Sequence, residues 1–213
     1  MGVLQLTTLS EVTMRKTFTS VLFAGALLCI ASCAGFGIAA TSDPAQKLND
    51  AGDLFENQDR PLPAEQLIRE AIEIYQEKND PLGLAEAYRT YGFFFRSPSI
   101  EGKWNKHYRE NGFLDKSATF NSRYDKSIDY FERARAIYVE NKRFDALTNV
   151  DLNIGFTYVA MGNRDAACKA FDRSLESYNE NLRQTSGARP VVPRGFSSYE
   201  EFITDRKKRY GCT

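Results

Sequence analysis

The side chains in this sequence that are best suited to covalent chemistry are the thiols of Cys33, Cys168 and Cys212. None of them belongs to a Cys-x-x-Cys pair, which redox motifs and many zinc sites contain. His107 is the single histidine, and the motifs of serine hydrolases, zinc proteases and phosphate-binding loops do not occur. The sequence therefore predicts a protein that is not an enzyme and that has no catalytic residues, metal site or cofactor.

The chain near Cys33 has the composition of a targeting signal. Arg15 and Lys16 directly follow Met14, and residues 18–30 are almost wholly apolar or small. This apolar run is too short for a membrane-spanning helix, which needs about 20 such residues, but it fits the basic and apolar regions of a secretory signal peptide. Residues 1–13 carry no basic residue, so we expect translation to start at Met14.

The four residues Ile30-Ala31-Ser32-Cys33 resemble the lipobox of bacterial lipoproteins, in which small residues precede a cysteine whose thiol receives a diacylglycerol group. This resemblance implies a signal peptide over residues 1–32, lipidation of Cys33 with chains such as palmitate, and a lipidated linker over residues 33–44. Each buried methylene of an acyl chain contributes about 0.8 kcal/mol to membrane binding, so a multiply acylated cysteine anchors a protein firmly.

The residue after Cys33 bears on the membrane in question. In lipoproteins an Asp at this position commonly marks retention in the inner membrane, whereas this chain has Ala34. The resemblance therefore implies a lipid anchor in the outer membrane, on its periplasmic side. The alternative is an ordinary secretory signal that is cut after Ala39-Ala40, in which case Cys33 is discarded.

Cys168 and Cys212 are the thiols that remain beyond the signal region. Two thiols in an oxidising periplasm can pair, and this bridge would close a loop of about 44 residues and stabilise the fold by roughly 4 kcal/mol in the chain-entropy model. The alternative is that Cys168 is a small buried residue and Cys212 a free thiol on a frayed end, because sequence separation does not fix a distance.

The charge of the chain argues against a nucleic-acid partner. Lysine plus arginine and aspartate plus glutamate each number 28, so no net field favours a polyanion. The longest basic run, Arg206-Lys207-Lys208-Arg209, lies near the end of a predicted helix, where cations complement the helix dipole.

Apolar residues recur at intervals of three and four along the body of the chain, which is typical of helices. A longer pattern repeats as well. Ala64 follows Gly52 by twelve residues, and Ala167 follows Gly155 by twelve, while Gly92 begins the same pattern before an insertion of about 23 residues. A glycine inside a helix costs about 1 kcal/mol relative to alanine, so we expect these three glycines to permit close contact between helices.

These offsets resemble the tetratricopeptide repeat (TPR), a helix-turn-helix unit of about 34 residues. The resemblance implies an all-α, TPR-like array of about three helical hairpins over residues 45–184, with an insertion over residues 97–122 in the second. An array of this kind needs terminal caps. We expect the segment over residues 185–213 to supply one, as a linker followed by a capping helix that packs on the third repeat.

In TPR proteins four positions on the first helix of each repeat form the concave surface. The resemblance implies a groove that runs from polar and acidic residues, through arginine and phenylalanine, to apolar residues. Such a groove suits an extended peptide or a helix with an apolar end and some acidic character. Carried over to this chain, the positions are Gln46, Asn49, Asp53 and Glu56, then Glu86, Arg89, Phe93 and Arg96, and then Asn149, Leu152, Phe156 and Val159.

Seven of these residues are our candidates for binding a protein or peptide partner. They are Asn49, Asp53, Arg89, Phe93, Arg96, Leu152 and Phe156. For Leu152, Phe156 and Val159 an alternative stays open, which is that the capping helix covers them.

The insertion supplies three further candidates, Trp104, His107 and Tyr108, since aromatic residues interleaved with lysine and arginine are common in binding hot spots. Long loops in compact domains are also often functional. The alternative is that the insertion forms an extra short helix over the second pair, with Trp104 and Phe113 buried.

The sequence thus predicts a membrane-anchored periplasmic lipoprotein that binds a protein or peptide and acts as an adaptor or scaffold in envelope assembly or secretion. Three alternatives stay open. The protein could be an immunity or accessory lipoprotein that neutralises a secreted effector, a structural lipoprotein tied to the cell wall, or an enzyme that acts on cell-wall glycan or peptide.

Overall fold

The computed structural model describes residues 42–184 and 191–212. The predicted signal peptide, the lipidation site at Cys33, nearly all of the linker over residues 33–44 and the first part of the C-terminal linker, residues 185–190, lie outside the described residues. The predictions made for those segments therefore stay predictions.

The described residues form helices and contain no strand. The helices are α1 Pro44–Glu56, α2 Pro61–Glu77, α3 Pro81–Phe95, α4 Pro98–Glu101, α5 Asn105–Asn111, α6 Arg123–Glu140, α7 Phe144–Ala160, α8 Arg164–Gln184 and α9 Tyr199–Arg209. Helices α1 and α2 pack as one pair, α3 and α6 as a second, and α7 and α8 as a third, and the short helices α4 and α5 lie between α3 and α6 in the chain. The prediction of an all-α array of three helix pairs with an insertion in the second is confirmed.

Local sequence signals set several helix ends. Proline occupies the first position of α1 to α4. The N–H at this position has no acceptor within the helix, so the N–H that proline lacks is not missed there. Before α3, the side chain of Asp80 caps the helix, because its Oδ1 accepts a hydrogen bond from the Gly83 amide at 2.9 Å. Helix α7 ends at Ala160, and Gly162 adopts a φ of 73° before α8 begins, a conformation that favours glycine.

Close helix contact is confirmed at two of the three repeated glycines. A Cβ added at Gly92 would lie 2.7 Å from the ring of Phe131, and one added at Gly155 would lie 2.5 Å from the ring of Phe171. The prediction is wrong for Gly52, where an added Cβ would meet nothing within 4 Å. Gly52 borders an open groove instead of a neighbouring helix.

Helix α9 caps the third pair, as predicted. Its side chains Tyr199, Phe202 and Ile203 are buried against Phe171 and Ala167 of α8. The Tyr199 hydroxyl and Ser174 Oγ are 2.7 Å apart and share a hydrogen bond. Helix α9 therefore covers the end of the array with apolar side chains.

The same end of the chain is fixed covalently. Cys168 on α8 and Cys212, just beyond α9, form a disulfide with a sulfur–sulfur distance of 2.00 Å. In the structure Cys212 is therefore neither free nor on a frayed end.

The insertion belongs to the core. Tyr108 and Phe113 stack at a ring-centroid distance of 4.5 Å, and Phe113 lies 4.9 Å from Phe95 of α3. The insertion is also hydrogen-bonded to the first helix pair, because Glu65 accepts from the Leu114 amide at 2.7 Å. These contacts match the alternative in which the insertion forms short helices that complete the packing.

Candidate functional site

An open groove lies between α1 and α3. It consists of two adjoining cavities of about 390 and 370 Å³, which share Phe55, Glu56 and Phe93. We call this surface the α1–α3 groove. Its lining residues are Leu48, Asn49, Gly52, Asp53, Phe55, Glu56, Asn57, Arg89, Thr90, Phe93, Arg96, Ser97 and Pro98.

Helical spacing explains why these side chains meet. Residues three and four apart lie on the same face of a helix. Asn49, Asp53 and Glu56 on α1 have this spacing, and so do Arg89 and Phe93 on α3 with Arg96, the residue that caps its C-terminal end. Packing of α1 against α3 then brings the two faces to one groove, which therefore contains five of the residues predicted to bind a partner.

Phe93 forms the aromatic centre of the groove. Its ring packs edge-to-face on Phe131 at a centroid distance of 5.2 Å. The guanidinium carbons of Arg89 and Arg96 lie 5.8 and 5.3 Å from the Phe93 centroid, within the range in which a cation is attracted to an aromatic face. The ring is half-buried, so it offers an apolar surface whose position is fixed by its neighbours.

The two arginines also contact the third helix pair. Arg89 forms an ion pair with Glu86 on its own helix, with Nη2 and Oε2 at 2.6 Å, and its Nη1 donates to Asn149 Oδ1 at 3.3 Å. Arg96 donates through Nη2 to Asn153 Oδ1. Burial lowers the pKa of Arg96 from its ordinary value. The arginines therefore bridge α3 and α7, the first helices of the second and third pairs.

The apolar end of the predicted groove is occupied by the cap. Leu152, Phe156 and Val159 pack against the cluster that contains Tyr199, Phe202 and Ile203. Phe156 also lies with its ring centroid 6.4 Å from that of Tyr210. Leu152 and Phe156 are half-buried beside α9, which matches in part the alternative in which the capping helix covers them, and their contact with a partner stays a prediction.

The insertion residues do not join the groove. Tyr108 is only 1% exposed, so the prediction that it contacts a partner is wrong. Trp104 is half-buried and donates through Nε1 to the Asp59 carbonyl at 2.9 Å, and His107 packs edge-on against it. Both lie on the insertion, and neither lines the α1–α3 groove.

Sequence reasoning missed two features of the groove. Phe55 is buried in its floor, and Gly52 leaves a gap in its wall. The sequence contains a signal for the gap at Gly52. Phe171 follows Gly155 by sixteen positions, and Phe131 follows Gly92 by the same number once the insertion of about 23 residues is left out. At the same distance from Gly52 the chain has Ile68 instead of a phenylalanine.

A family model of the tetratricopeptide repeat matches residues 152–181, which cover the second half of α7 and most of α8. No match was found among curated proteins or among solved structures. The repeat is a module of protein–protein interaction and is typically non-catalytic, so the match supports a protein partner for this chain in general.

Two further properties belong to the described part of the chain alone. Within residues 42–184 and 191–212, no helix is both long and apolar enough to cross a bilayer. The same residues contain no cluster of three or more His, Cys, Asp or Glu side chains that could hold a metal ion.

Proposed function

We propose that this protein is a lipid-anchored periplasmic adaptor that binds a protein partner through the α1–α3 groove and serves envelope assembly or secretion. The observation that carries the proposal is the groove around Phe93, where an aromatic surface is fixed between two arginines and stays open to solvent. Grooves of this kind on helical repeats accept an extended peptide or an amphipathic helix.

The location in this proposal rests on sequence. A basic region, an apolar region and the lipobox-like residues ending in Cys33 follow one another in the order typical of bacterial lipoproteins. The pairing of Cys168 with Cys212 is consistent with an oxidising compartment.

Site-specific photo-crosslinking in intact cells tests the groove. A benzophenone amino acid replaces Asn49, which is exposed in the groove, and in a matched control it replaces Glu132, which is exposed on α6. We expect a discrete crosslinked protein from position 49 and none from position 132. The identity of that protein also separates an adaptor, whose partner belongs to an assembly or secretion machine, from an immunity protein, whose partner is a toxic effector.

A second variant blocks the groove without removing a contact of the fold. Gly52→Leu places a side chain in the gap where an added Cβ meets nothing within 4 Å. We expect this variant to fold and to lose the crosslink from position 49. An unchanged crosslink in the folded variant, or equal crosslinks from both positions, would contradict the proposal. Reversing the charge of Arg89 or Arg96 is less informative, because both side chains also hold neighbouring helices.

A further inference from the structure

We infer that the partner segment bound by the α1–α3 groove carries a positively charged side chain beside an apolar one. The inference rests on the proposed function and specifies the chemistry of the partner. It differs from the expectation, drawn from sequence, of a partner with some acidic character. The difference arises from how the charges of the groove are paired within the chain.

The positive charges of the groove are engaged internally. Arg89 is neutralised by Glu86, with which it shares two hydrogen bonds of 2.6 and 3.0 Å. Arg96 is half-buried, lies over the rings of Phe93 and Phe131, and donates to Asn153. An acidic partner would have to break these contacts to reach either guanidinium edge.

The negative charges of the groove are exposed and form no ion pair with a described residue. Asp53 accepts hydrogen bonds from the side-chain amides of Asn57 and Gln58 at 2.8 and 2.6 Å, and these donors are neutral. Glu56, one turn further along α1, makes no hydrogen bond with a described residue, and its carboxylate acts on the Arg96 guanidinium by Coulomb attraction without an ion-pair contact. Complementary charge across an interface favours association and selects against partners of like charge, so this wall of the groove favours a cationic side chain.

Space for an apolar side chain lies directly beside these carboxylates. Gly52 precedes Asp53, and an added Cβ at Gly52 would meet nothing within 4 Å. Unlike Gly92 and Gly155, this glycine has no packing partner that requires it, yet it costs stability inside a helix. The gap opens beside Leu48 and Phe93, so an apolar side chain of the partner can bury surface there.

The test measures the affinity of short fluorescent peptides for the full chain by anisotropy, at protein concentrations up to the millimolar range. One peptide has a central phenylalanine flanked by lysines, and the matched peptide has glutamates in place of the lysines. The double variant Asp53→Asn, Glu56→Gln removes the groove carboxylates. The control double variant Glu110→Gln, Asp165→Asn removes two exposed carboxylates elsewhere, whose side chains are 60% and 87% exposed.

We expect the lysine peptide to bind about tenfold more tightly than the glutamate peptide. Removing Asp53 and Glu56 should weaken its binding about fivefold, as two exposed ion pairs allow, whereas the control variant should bind like the parent. Gly52→Leu should abolish binding of the lysine peptide, because its side chain fills the gap.

Three results would overturn the inference. They are equal or tighter binding of the glutamate peptide, no effect of removing Asp53 and Glu56, or no binding of either peptide. None of them removes the proposed function, which the crosslink from position 49 decides separately. If position 49 gave no crosslink in cells while the lysine peptide still bound more tightly by anisotropy, the proposed function would be contradicted and the inference about the partner's charge would stand.

Discussion

At the scale of single residues, equivalent glycines in the three helix pairs meet different surroundings. Gly155 faces the ring of Phe171, whereas Gly52 faces open space. The same substitution at the two positions should therefore have opposite effects on stability.

We expect Gly52→Ala to raise the free energy of unfolding by about 0.5–1 kcal/mol, because alanine is the better helix former and nothing obstructs its methyl group. Gly155→Ala should lower the same free energy by about 1–3 kcal/mol, since the methyl group forces Phe171 out of place. Urea unfolding of both variants checks the prediction. Changes of the same sign would show that the two sites do not differ as the structure indicates.

A second feature at this scale is the buried carboxyl group of Glu65, which is 2% exposed. Its Oε1 accepts hydrogen bonds from the Tyr91 hydroxyl at 2.8 Å and from the Leu114 amide at 2.7 Å. Burial raises the pKa of Glu65 above its ordinary value of 4.5, although these two donors act to lower it. The buried carboxyl group therefore links the insertion to the first two helix pairs, and burial disfavours its charged form.

This raised pKa predicts a pH dependence of stability. Between the unfolded and the folded pKa of Glu65, the folded protein retains a proton that the unfolded chain has released. The contribution of Glu65 to the free energy of unfolding is thus fully present below about pH 4.5 and is lost as the pH rises through the folded pKa. Glu65→Gln should remove this loss, as measured by urea unfolding at a series of pH values.

Glu70 serves as the control for that measurement. Its pKa is lowered, chiefly by the hydrogen bond from Lys47. Its contribution should therefore be present above about pH 4.5 and be lost as the pH falls. If Glu65→Gln and Glu70→Gln altered the pH profile in the same direction, the assignment of the raised pKa to Glu65 would fail.

At the scale of secondary-structure elements, α9 depends on both packing and a covalent link. Tyr199, Phe202 and Ile203 bury this short, otherwise charged helix against α8. The disulfide between Cys168 and Cys212 closes a loop with a sequence separation of 44 residues. The linker before α9 lies inside this loop and lengthens it. Closing a longer loop costs the unfolded chain more conformational entropy, so the bridge restricts the unfolded chain considerably.

We expect the double variant Cys168→Ser, Cys212→Ser to lose about 2–4 kcal/mol of unfolding free energy, because the unfolded chain regains the entropy that the closed loop removed. Unfolding under non-reducing conditions measures the loss. Hydrogen exchange supplies the local control, since amides in α9 should lose more protection than those in α1 and α3. Uniform acceleration along the chain would contradict a role confined to the cap.

At the scale of the whole molecule, the proposed lipid anchor decides where in the cell the groove acts. The groove and the proposed lipid anchor lie at different parts of the chain, so they can be separated by mutation. Lipidation should depend on the thiol of Cys33 and on no other cysteine.

We expect the parent protein and Cys29→Ala to incorporate an alkyne analogue of palmitate and to fractionate with the outer membrane. Cys33→Ala should do neither, because Cys29 lies within the apolar region whereas Cys33 ends the lipobox-like segment. In-gel detection of the label after membrane fractionation provides the measurement. Equal labelling of all three chains, or labelling of none, would refute the lipid anchor.

Much of the fold followed from local sequence patterns. Apolar spacing predicted helices, because it acts over one or two turns of helix. The repeated glycines resemble the tetratricopeptide repeat, and that resemblance implied the helix pairs, the place of the insertion and the concave positions Arg89, Phe93 and Arg96. These features depend on residues close together in the chain.

Other features were decided only by tertiary contacts between distant residues. Tyr108 is buried because the insertion folds onto α3, and Leu152 and Phe156 are half-buried because α9 returns to the third pair. Arg89 pairs with Glu86 on its own helix, but Arg96 donates to Asn153 only once α3 and α7 lie side by side. The sequence thus determined which residues could face the groove, while packing determined which of their charges and surfaces remain available to a partner.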